Sequence, residues 1–544
     1  MKRLLAVAAL LSGIALVVTT GCGGGSGNNT QGADNGTSSP GSASGPSGST
    51  LRLTGGDPLT LDPAIATDAT SAGYIVEIFG GLVTLDKDLK IQPDIASTWD
   101  VSPDGTVYTF HLRNDVVFQQ TNRQVTAADF KYSMERAADP ATGSTVADAY
   151  LGDIVGVKDM LNNGAKSISG IEIVDDSTLR ITIDAAKPYF IDKMACPTAF
   201  VVDRTQIEAD PKNWSEKPRG TGPFQVKDWK LGESLTLEAN PNYHLGVPAV
   251  KTVQFILSGG SELTMYQDDE VDVASITTND IDRVRDPNDV LHSEYQQGNE
   301  MSIGYIGFNV QKPPFDDVKV RQAFALAINR QQIVDVILKD MVGVANGIMP
   351  PGVPGYTSTV TPQQYDPDKA KQLLAESSYG GASGLPQITI TEVGAGASAG
   401  NDVQAVVEMW RENLGVDVQI QQTEAATFWQ DLDKGQYQMF TVGWVMDYPD
   451  PQNVLDILFY SQSHQNSSHY SNPDVDKLLL QARTEPDTSK RMALYQQAEQ
   501  IIVGDWPWIP LYNPRDNIVV KPYVKNFSLP AIVMPYLRYV TIET

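Results

Sequence analysis

One stretch of the sequence decides the fold class: ITITEVGAGASAGNDVQAVVEMWRENLGVDVQI, residues 388–420. Its first four residues, Ile388-Thr389-Ile390-Thr391, alternate apolar and polar side chains, which predicts a β-strand. Asp402 to Asn413 carries apolar residues at helical spacing, and Val416-Asp417-Val418-Gln419-Ile420 alternates again. The stretch therefore predicts a βαβ unit, which is typical of α/β folds.

The loop between the first strand and the helix, Gly394 to Gly400, invites comparison with a dinucleotide-binding fingerprint. Its glycine spacing, Gly-x-Gly-x-x-x-Gly, is one residue too long for that fingerprint. Asp417, the acidic residue that would contact the ribose, lies inside the second strand instead of at its end. We therefore interpret the loop as a flexible connection in a structural βαβ unit.

Outward from this unit, strands and helices follow each other without a strict βα period, which favours an α/β fold with mixed sheets. Helices are predicted where apolar residues recur at spacings of three and four: Val318 to Ile337, Pro367 to Glu376 and Ser489 to Val503. Thr126 is predicted to cap a helix, with Asp129 in the capping-box position. The sequence from Ile171 to Ile183 predicts a β-hairpin.

The composition is that of a large, acidic, globular chain. It has 544 residues, 40 Lys and Arg against 66 Asp and Glu, and a formal net charge of −26. A chain of this length buries an extensive core and is expected to divide into about two to four domains. The negative charge argues against nucleic acid as a partner, because binding to phosphates depends on Lys and Arg.

The first 21 residues have the pattern of a secretory signal peptide. Lys2 and Arg3 precede an apolar run from Leu4 to Val18, which is too short to cross a bilayer. Thr19-Thr20-Gly21-Cys22 resembles a bacterial lipobox, so residues 1–21 are predicted to be removed and Cys22 to be lipidated. An ordinary signal peptide cut nearby is the alternative.

Residues 22–50 are predicted to form a flexible linker between the lipid and the globular body. The segment contains nine Gly and seven Ser, and Asp34 is its only charged residue. Such a composition cannot form an apolar core. The protein is therefore expected outside the cytoplasm, anchored to the cell membrane as a lipoprotein.

The sequence contains no motif for catalysis or for a cofactor. It lacks a P-loop, a Gly-x-Ser-x-Gly elbow, His-Glu-x-x-His and Cys-x-x-Cys. His464 and His469 share a polar loop without helical spacing or a neighbouring Cys, so no metal site is predicted there. Cys196 lies in an apolar context and is expected to be a buried, inert thiol. We therefore predict no catalytic residue, no metal, no cofactor and no enzymatic activity.

Several short motifs occur together, in one order, along the body of the chain. They are Leu61-Asp62-Pro63, Pro93-Asp94-Ile95-Ala96-Ser97-Thr98-Trp99, Tyr108-Thr109-Phe110-His111-Leu112-Arg113, Gly220-Thr221-Gly222-Pro223-Phe224, Asn240-Pro241-Asn242-Tyr243, Pro313-Pro314-Phe315-Asp316-Asp317-Val318 and Gly443-Trp444-Val445-Met446-Asp447-Tyr448-Pro449-Asp450-Pro451. With these motifs, the chain from about Leu51 to its C-terminus resembles the family 5 solute-binding proteins of ABC importers, the oligopeptide- and dipeptide-binding group.

The resemblance implies an α/β fold: a two-lobed, periplasmic-binding-protein-like clamp of class II type, with mixed sheets and an extra inserted domain. The implied ranges are 51–80, 190–300 and 511–544 for a discontinuous lobe I, 81–189 for the inserted domain and 301–510 for lobe II. Two chain crossings would form a hinge, and closure about it would bury a ligand between the lobes. The implied partners are a peptide ligand and a membrane permease with its ATPase subunits. The binding protein itself is expected to be a monomer.

The resemblance also implies ligand-binding residues. Asp447 would hold the α-ammonium of a peptide, because a buried charge needs a counter-charge. Gly443 to Val445 would pair with the peptide backbone as an added strand, and Trp444 would line a side-chain pocket. The alternatives are that Asp447 caps the turn before Pro449 and that Trp444 belongs to the core.

Further positions bear on the identity of the ligand. Thr67, Asp68 and Ala69 align with residues that line the cleft in relatives. Some peptide binders carry an Arg that grips the peptide carboxylate where this chain has Thr441, so that contact is not expected here. The alternative ligand is a non-peptide solute, such as a metal chelate, a sugar or an opine-like compound, and Asp447 favours one with an amine.

Overall fold

The computed structural model describes residues 49–360, 364–394 and 399–543. These residues belong to one compact unit of the chain, Pro46–Thr544. The predicted signal peptide, Cys22 and nearly all of the predicted linker lie outside the described residues, as does the middle of the Gly394 to Gly400 loop. In the part of the chain that is described, no helix is long and apolar enough to cross a membrane.

The strands lie in several separate sheets. Within the described ranges they are, in chain order, β1 Thr50–Thr54, β2 Val83–Leu85, β3 Ile91–Pro93, β4 Ala96–Val101, β5 Val107–Leu112, β6 Ile171–Asp175, β7 Thr178–Thr182, β8 Phe224–Lys230, β9 Ser234–Ala239, β10 Thr252–Ile256, β11 Val273–Ser275, β12 Tyr295–Asn299, β13 Ser302–Phe308, β14 Gly343–Val344, β15 Ile388–Val393, β16 Val418–Thr423, β17 Met439–Val445, β18 Trp508–Asn513, β19 Arg515–Val520, β20 Val524–Lys525 and β21 Thr541–Ile542.

Helices pack around these sheets. In the same described residues they are α1 Ala69–Ile78, α2 Ala127–Ala138, α3 Ala147–Leu151, α4 Val157–Asn163, α5 Phe190–Lys193, α6 Arg204–Ala209, α7 Glu262–Gln267, α8 Ile281–Arg285, α9 Val318–Leu326, α10 Arg330–Gln332, α11 Pro367–Ala375, α12 Asn401–Leu414, α13 Ala425–Asp433, α14 Ile457–Phe459, α15 Pro473–Thr484 and α16 Thr488–Asp505. Two π-helical turns cover Ile333–Ile337 and Gln452–Asp456. The β6–β7 hairpin and helices α11 and α16 lie where the sequence predicted them.

The predicted βαβ unit is confirmed. Strands β15 and β16 run parallel, with Ile388 opposite Val418, and α12 connects them. Trp410 on α12 is fully buried and its indole N–H donates to the Phe324 carbonyl at 2.8 Å, which fixes α12 against α9. The unit forms one end of a six-stranded sheet with the order β14-β18-β13-β17-β15-β16. This sheet is mixed, because β13 pairs antiparallel with both β17 and β18.

Two local helix predictions have opposite outcomes. Thr126 caps α2 as predicted: its backbone N–H and its hydroxyl both donate to the Asp129 carboxylate at 2.9 Å. The prediction of one helix from Val318 to Ile337 is wrong, because α9 ends and a new helical turn begins after Asn329. The Asn329 side chain accepts a hydrogen bond from the Gln332 N–H at 3.1 Å. It therefore acts as an N-cap in the middle of the predicted helix.

Further sheets carry the rest of the core. A mixed sheet has the order β1-β10-β9-β8, an antiparallel sheet the order β4-β5-β7-β6, and a three-stranded sheet the order β11-β19-β12. The antiparallel sheet lies inside the range predicted for the inserted domain, 81–189. The predicted domain ranges remain a prediction, and the boundary at 510/511 falls inside β18.

In the described residues, two chain crossings and one C-terminal segment link the six-stranded sheet with other parts of the core. Strand β12 leads into β13, and β18 leads into β19, so two segments pass from the six-stranded to the three-stranded sheet. The third segment lies near the C-terminus. There Leu529 and Val533 pack with the core of the β1 sheet, whereas Ile532 and Met534 pack with the core of the six-stranded sheet.

Candidate functional site

The candidate site begins at a free edge of strand β17. On one side β17 pairs with β13 along its whole length, with Gly304 opposite Gly443. On the other side β15 pairs only with Met439 and Phe440, at the start of the strand. For Val442 to Val445 the described residues contain no partner strand on that side, and Gly443 is exposed. The peptide groups of this edge are therefore available to an added, extended chain.

Asn453, which is fully buried, fixes the residues that follow this edge. Its amide oxygen accepts hydrogen bonds from the Asp447 backbone N–H at 3.0 Å and from the Trp444 indole N–H at 3.1 Å. Its amide N–H donates to Oδ2 of the Asp447 carboxylate at 2.9 Å. One side chain therefore positions both the backbone and the carboxylate of Asp447, together with the ring of Trp444.

Among the described residues, the Asp447 carboxylate has hydrogen-bond donors but no cationic partner. The Tyr150 hydroxyl also donates to Oδ2, whereas Oδ1 accepts no hydrogen bond from the described residues. Those residues form no ion pair with Asp447 either. Burial raises the pKa of this carboxyl group, and the hydrogen bonds from Tyr150 and Asn453 act in the opposite direction. The ammonium group of a ligand would supply the missing counter-charge.

The contacts of Asp447 and Trp444 bear on the two alternatives, which are that Asp447 caps the turn before Pro449 and that Trp444 belongs to the core. Within the described contacts, the Asp447 carboxylate makes no hydrogen bond to the turn that contains Pro449, so the contacts do not support a capping role. The Trp444 ring is partly exposed and packs against the core of the six-stranded sheet. A partly exposed ring beside a free strand edge is suited to contact a ligand, and that contact remains a prediction.

A cavity of about 390 Å³ lies beside the end of β17. Val445 and Ala69 both line it, so the structure brings together two of the residues that the sequence analysis proposed. Its walls are largely apolar, and the carboxyl groups of Glu300 and Asp516 also face it. Burial and the neighbouring Glu300 carboxyl raise the pKa of Asp516 to about 7. Asp516 therefore keeps its proton to a higher pH than an ordinary carboxyl group.

Asp68 and Thr67, which the sequence analysis proposed together with Ala69, are not among the residues that line this cavity. Asp68 caps helix α1, because its Oδ1 accepts a hydrogen bond from the Ser71 N–H at 2.8 Å. Thr67 is exposed and does not line the cavity. Of the three residues Thr67, Asp68 and Ala69, Ala69 is the one that the structure brings to the cavity.

The residues that follow Asp447 carry two ion pairs of low exposure. Arg491 binds both carboxylate oxygens of Asp450. Arg483 does the same to Asp456, with N–O distances of 2.7 and 2.6 Å. Of these three carboxylates, Asp447 is the one without an arginine partner in the described part of the chain.

The sequence alone does not identify Asn453 or Tyr150 as residues of this site. In the sequence, Asn453 stands out as a polar residue directly before the apolar residues Val454 and Leu455, but this pattern does not indicate which groups it bonds to. Tyr150 is 297 residues away from Asp447 in the sequence, and no local pattern connects them. Cys196 is 2% exposed, which confirms its predicted burial, and burial raises the pKa of its thiol well above the ordinary value.

Comparison with known sequences gives a consistent result. Residues 90–466 match the family model described as bacterial extracellular solute-binding proteins, family 5 Middle. The chain is 30% identical over 493 residues to the periplasmic oligopeptide-binding protein OppA of Escherichia coli, covering 88% of this chain and 89% of the relative. It is 30% identical over 500 residues to the oligopeptide-binding protein OppA of Bacillus subtilis, covering 89% and 90%. Heme-binding protein A of Haemophilus influenzae is 29% identical over 498 residues, covering 86% and 88%.

Solved structures share the two-lobed α/β clamp fold that the sequence predicted. The murein tripeptide-binding protein MppA of Escherichia coli aligns with a TM-score of 0.82 at 27% identity, covering 91% of this chain and 99% of that chain. Listeria monocytogenes OppA bound to peptide gives 0.81 at 26% identity, covering 92% and 100%. The unliganded open form of MppA gives 0.66, at 27% identity and with coverage of 91% and 99%.

These relatives are binding proteins rather than enzymes, in agreement with the absence of any catalytic motif in the sequence. The family match covers more than half of the chain, and the sequence identity extends over nearly the whole body. The chain therefore belongs to the family 5 bacterial extracellular solute-binding proteins.

Proposed function

We propose that this chain binds short peptides, in extended form, in the cleft between its two lobes. The observation that carries the proposal is the Asp447 carboxylate, which has neutral hydrogen-bond donors and no cation among the described residues. A peptide supplies the missing ammonium, and its backbone can pair with the free edge from Gly443 to Val445. Backbone pairing gives affinity for many sequences, because it does not depend on the side chains of the peptide.

Hinge closure is part of this proposal. The chain aligns better with peptide-bound Listeria monocytogenes OppA, at a TM-score of 0.81, than with unliganded open MppA, at 0.66. This difference supports a closed arrangement of the lobes in the present structure. The proposed hinge consists of the β12–β13 and β18–β19 crossings, and a ligand would enter the open form and be enclosed on closure.

The delivery step rests on the sequence and on the family. Lipidation of Cys22 and the linker of residues 22–50 would hold the protein at the outer face of the membrane, close to its permease and ATPase subunits. The cargo would pass to the permease when the clamp opens.

The proposal is tested by native mass spectrometry of the soluble body, from about Leu51, followed by denaturation and sequencing of any released compound. We expect peptides of a narrow length range. A released non-peptide compound, or an empty protein that no peptide stabilises against heat, would overturn the peptide assignment. Heme-binding protein A, at 29% identity, makes a non-peptide solute the second candidate, and the same experiment would identify it.

A further inference from the structure

Helix α3, in the predicted inserted domain, contacts the residues around Asp447. Just before α3, the Thr145 carbonyl accepts a hydrogen bond from the Gln465 side chain at 3.3 Å. On α3 itself, Tyr150 packs against Tyr448 in a small apolar cluster, and its hydroxyl donates to the Asp447 carboxylate. Two hydrogen bonds and an apolar contact therefore join the predicted inserted domain to predicted lobe II at this point.

Helix α3 is held firmly on its own side of the cleft. Lys193 donates to the Ala149 carbonyl on α3 at 2.8 Å and to the Asp153 carboxylate at 2.7 Å. Lys187 donates to the other oxygen of Asp153 at 2.6 Å. Because Lys187 of the predicted inserted domain and Lys193 of predicted lobe I both hold this region, Tyr150 would move with these two parts, and its bond to Asp447 would exist only while the cleft is closed.

We propose that Tyr150 is a closure-dependent positioning residue, which completes the ammonium site at Asp447 only when helix α3 docks on lobe II. This inference rests on the proposed function and adds a regulation of the same site. In the closed form, Tyr150 and Asn453 both bond to Oδ2 of Asp447, which fixes the plane of the carboxylate and leaves Oδ1 for the ligand. In the open form, Tyr150 is withdrawn and water screens the carboxylate.

The two states differ in how strongly they hold an amine. Closure adds a donor that keeps the carboxylate ionised, and it removes the water that screens the charge, so both changes favour pairing with an ammonium group. Opening reverses both changes at once. Release of the ligand's amine is thereby coupled to opening of the cleft, since the Tyr150 hydroxyl belongs to the predicted inserted domain and acts on Asp447 in predicted lobe II.

Three titratable groups of the described residues lie around Asp447. Tyr150 faces it from α3, Cys196 from the segment after α5, and Tyr448 from its own loop. Burial raises the pKa of all three, so they stay neutral at physiological pH. The hydrogen bond from Tyr150 lowers the pKa of Asp447. Its removal therefore shifts ionisation of Asp447 to higher pH.

The test is Tyr150→Phe, which keeps the ring and removes the hydroxyl. Peptide affinity is measured by calorimetry between pH 4 and pH 8. We expect a loss of about tenfold at neutral pH, the usual effect of one hydrogen bond to a charged group. Because Tyr150 contacts Asp447 only in the closed complex, we also expect this loss to shrink toward pH 4, where Asp447 in the complex becomes protonated and carries no charge for the hydroxyl to stabilise. An N-acetylated peptide, which has no ammonium, should bind both forms equally.

Gln465→Ala is the matched control, because it removes the neighbouring contact between the lobes without touching Asp447. Any loss of affinity in this variant should be the same factor at every pH between 4 and 8. A loss in Tyr150→Phe that stays the same from pH 8 down to pH 4, or an equal loss for the acetylated peptide, would overturn the inference. Asp447→Ala separates the two proposals: if it leaves peptide binding intact, the proposed ammonium site itself fails, whatever Tyr150 does.

Discussion

Asp447 and Asp450 lie three residues apart on one loop, yet they have opposite electrostatic surroundings. Asp450 is 6% exposed and binds Arg491 through both of its oxygens. Asp447 bonds to the hydroxyl of Tyr150 and the amide of Asn453, with no ion pair among the described residues. Within the described part of the chain, the fold thus supplies a cation to Asp450 and neutral donors alone to Asp447.

The difference indicates which carboxylate serves the structure and which serves a ligand. In a buried ion pair each charge compensates the other, so removing one partner leaves the remaining charge without compensation. A partly buried carboxylate such as that of Asp447, with neutral donors alone among the described residues, lacks a counter-charge until a cation arrives from outside. Two unlike roles therefore occur within one short loop, and substitutions at the two positions should affect different measurements.

The largest expected effect is the loss of stability in Asp450→Asn. This change leaves the Arg491 guanidinium buried without its partner, which costs about 3–5 kcal/mol of unfolding free energy. Urea denaturation of the ligand-free protein measures the loss. Asp456→Asn, which removes the partner of Arg483, should behave in the same way.

Asp447→Asn is the control for this comparison. It breaks no ion pair in the described structure, so its unfolding free energy should stay within about 1 kcal/mol of the wild-type value. If Asp447→Asn destabilised the protein as much as Asp450→Asn does, both carboxylates would be structural and the contrast between them would disappear.

The next effect is on affinity. Asp447→Ala should weaken peptide binding by about 2–5 kcal/mol, the range for removing one half of a buried charged pair. Isothermal calorimetry with a free and an N-acetylated form of the same peptide measures it. The substitution should affect the free peptide far more than the acetylated one, because only the free peptide carries the ammonium. Equal binding of the free peptide by wild type and variant would show that Asp447 does not hold the amine.

The sequence predicts this site only in part, and for a physical reason. Local patterns identified the βαβ unit, because alternation and helical spacing are properties of neighbouring residues. The resemblance to a family pointed to Asp447. Asn453 and Tyr150 were not predicted, because their roles arise from contacts that form only in the folded chain. The contact between Tyr150 and Asp447 spans 297 residues of sequence. The prediction of one helix from Val318 to Ile337 was wrong although the sequence contains the signal for the break, because Asn is a favoured N-cap residue and Asn329 begins the second helical turn.

A third carboxyl group extends the comparison into the core. Glu77 on α1 also lacks an ion pair in the described residues, and its Oε1 accepts hydrogen bonds from the N–H groups of Tyr536 and Leu537 at 2.8 and 2.9 Å. Burial raises its pKa to about 7. Because this value exceeds the ordinary value of about 4.5 for an unfolded chain, the folded protein binds the proton more tightly, and stability is lost as pH rises from 4.5 through 7.

Glu77→Gln should remove this loss, because the amide stays neutral. Relative to wild type, we expect the variant to gain up to about 3 kcal/mol of unfolding free energy between pH 5 and pH 8, at 1.36 kcal/mol for each pKa unit. Urea denaturation at several pH values measures the difference. Glu270→Gln, at an exposed position, serves as the control and should give no such trend. Parallel pH profiles for wild type and Glu77→Gln would contradict the prediction.

The smallest expected effect tests how Asn453 links Trp444 to Asp447. Trp444→Phe keeps an aromatic ring beside the strand edge and removes the N–H that donates to Asn453. The Asn453 oxygen retains its second donor, the Asp447 backbone N–H. The Asp447 carboxylate should therefore be positioned less firmly but keep its hydrogen bond to Asn453. Peptide affinity should therefore fall by about 0.5–1.5 kcal/mol, the net contribution of one neutral hydrogen bond. Trp429→Phe, against the same core, should leave affinity unchanged in calorimetry. A loss as large as that of Asp447→Ala would instead mean that Trp444 holds the ligand through its own N–H.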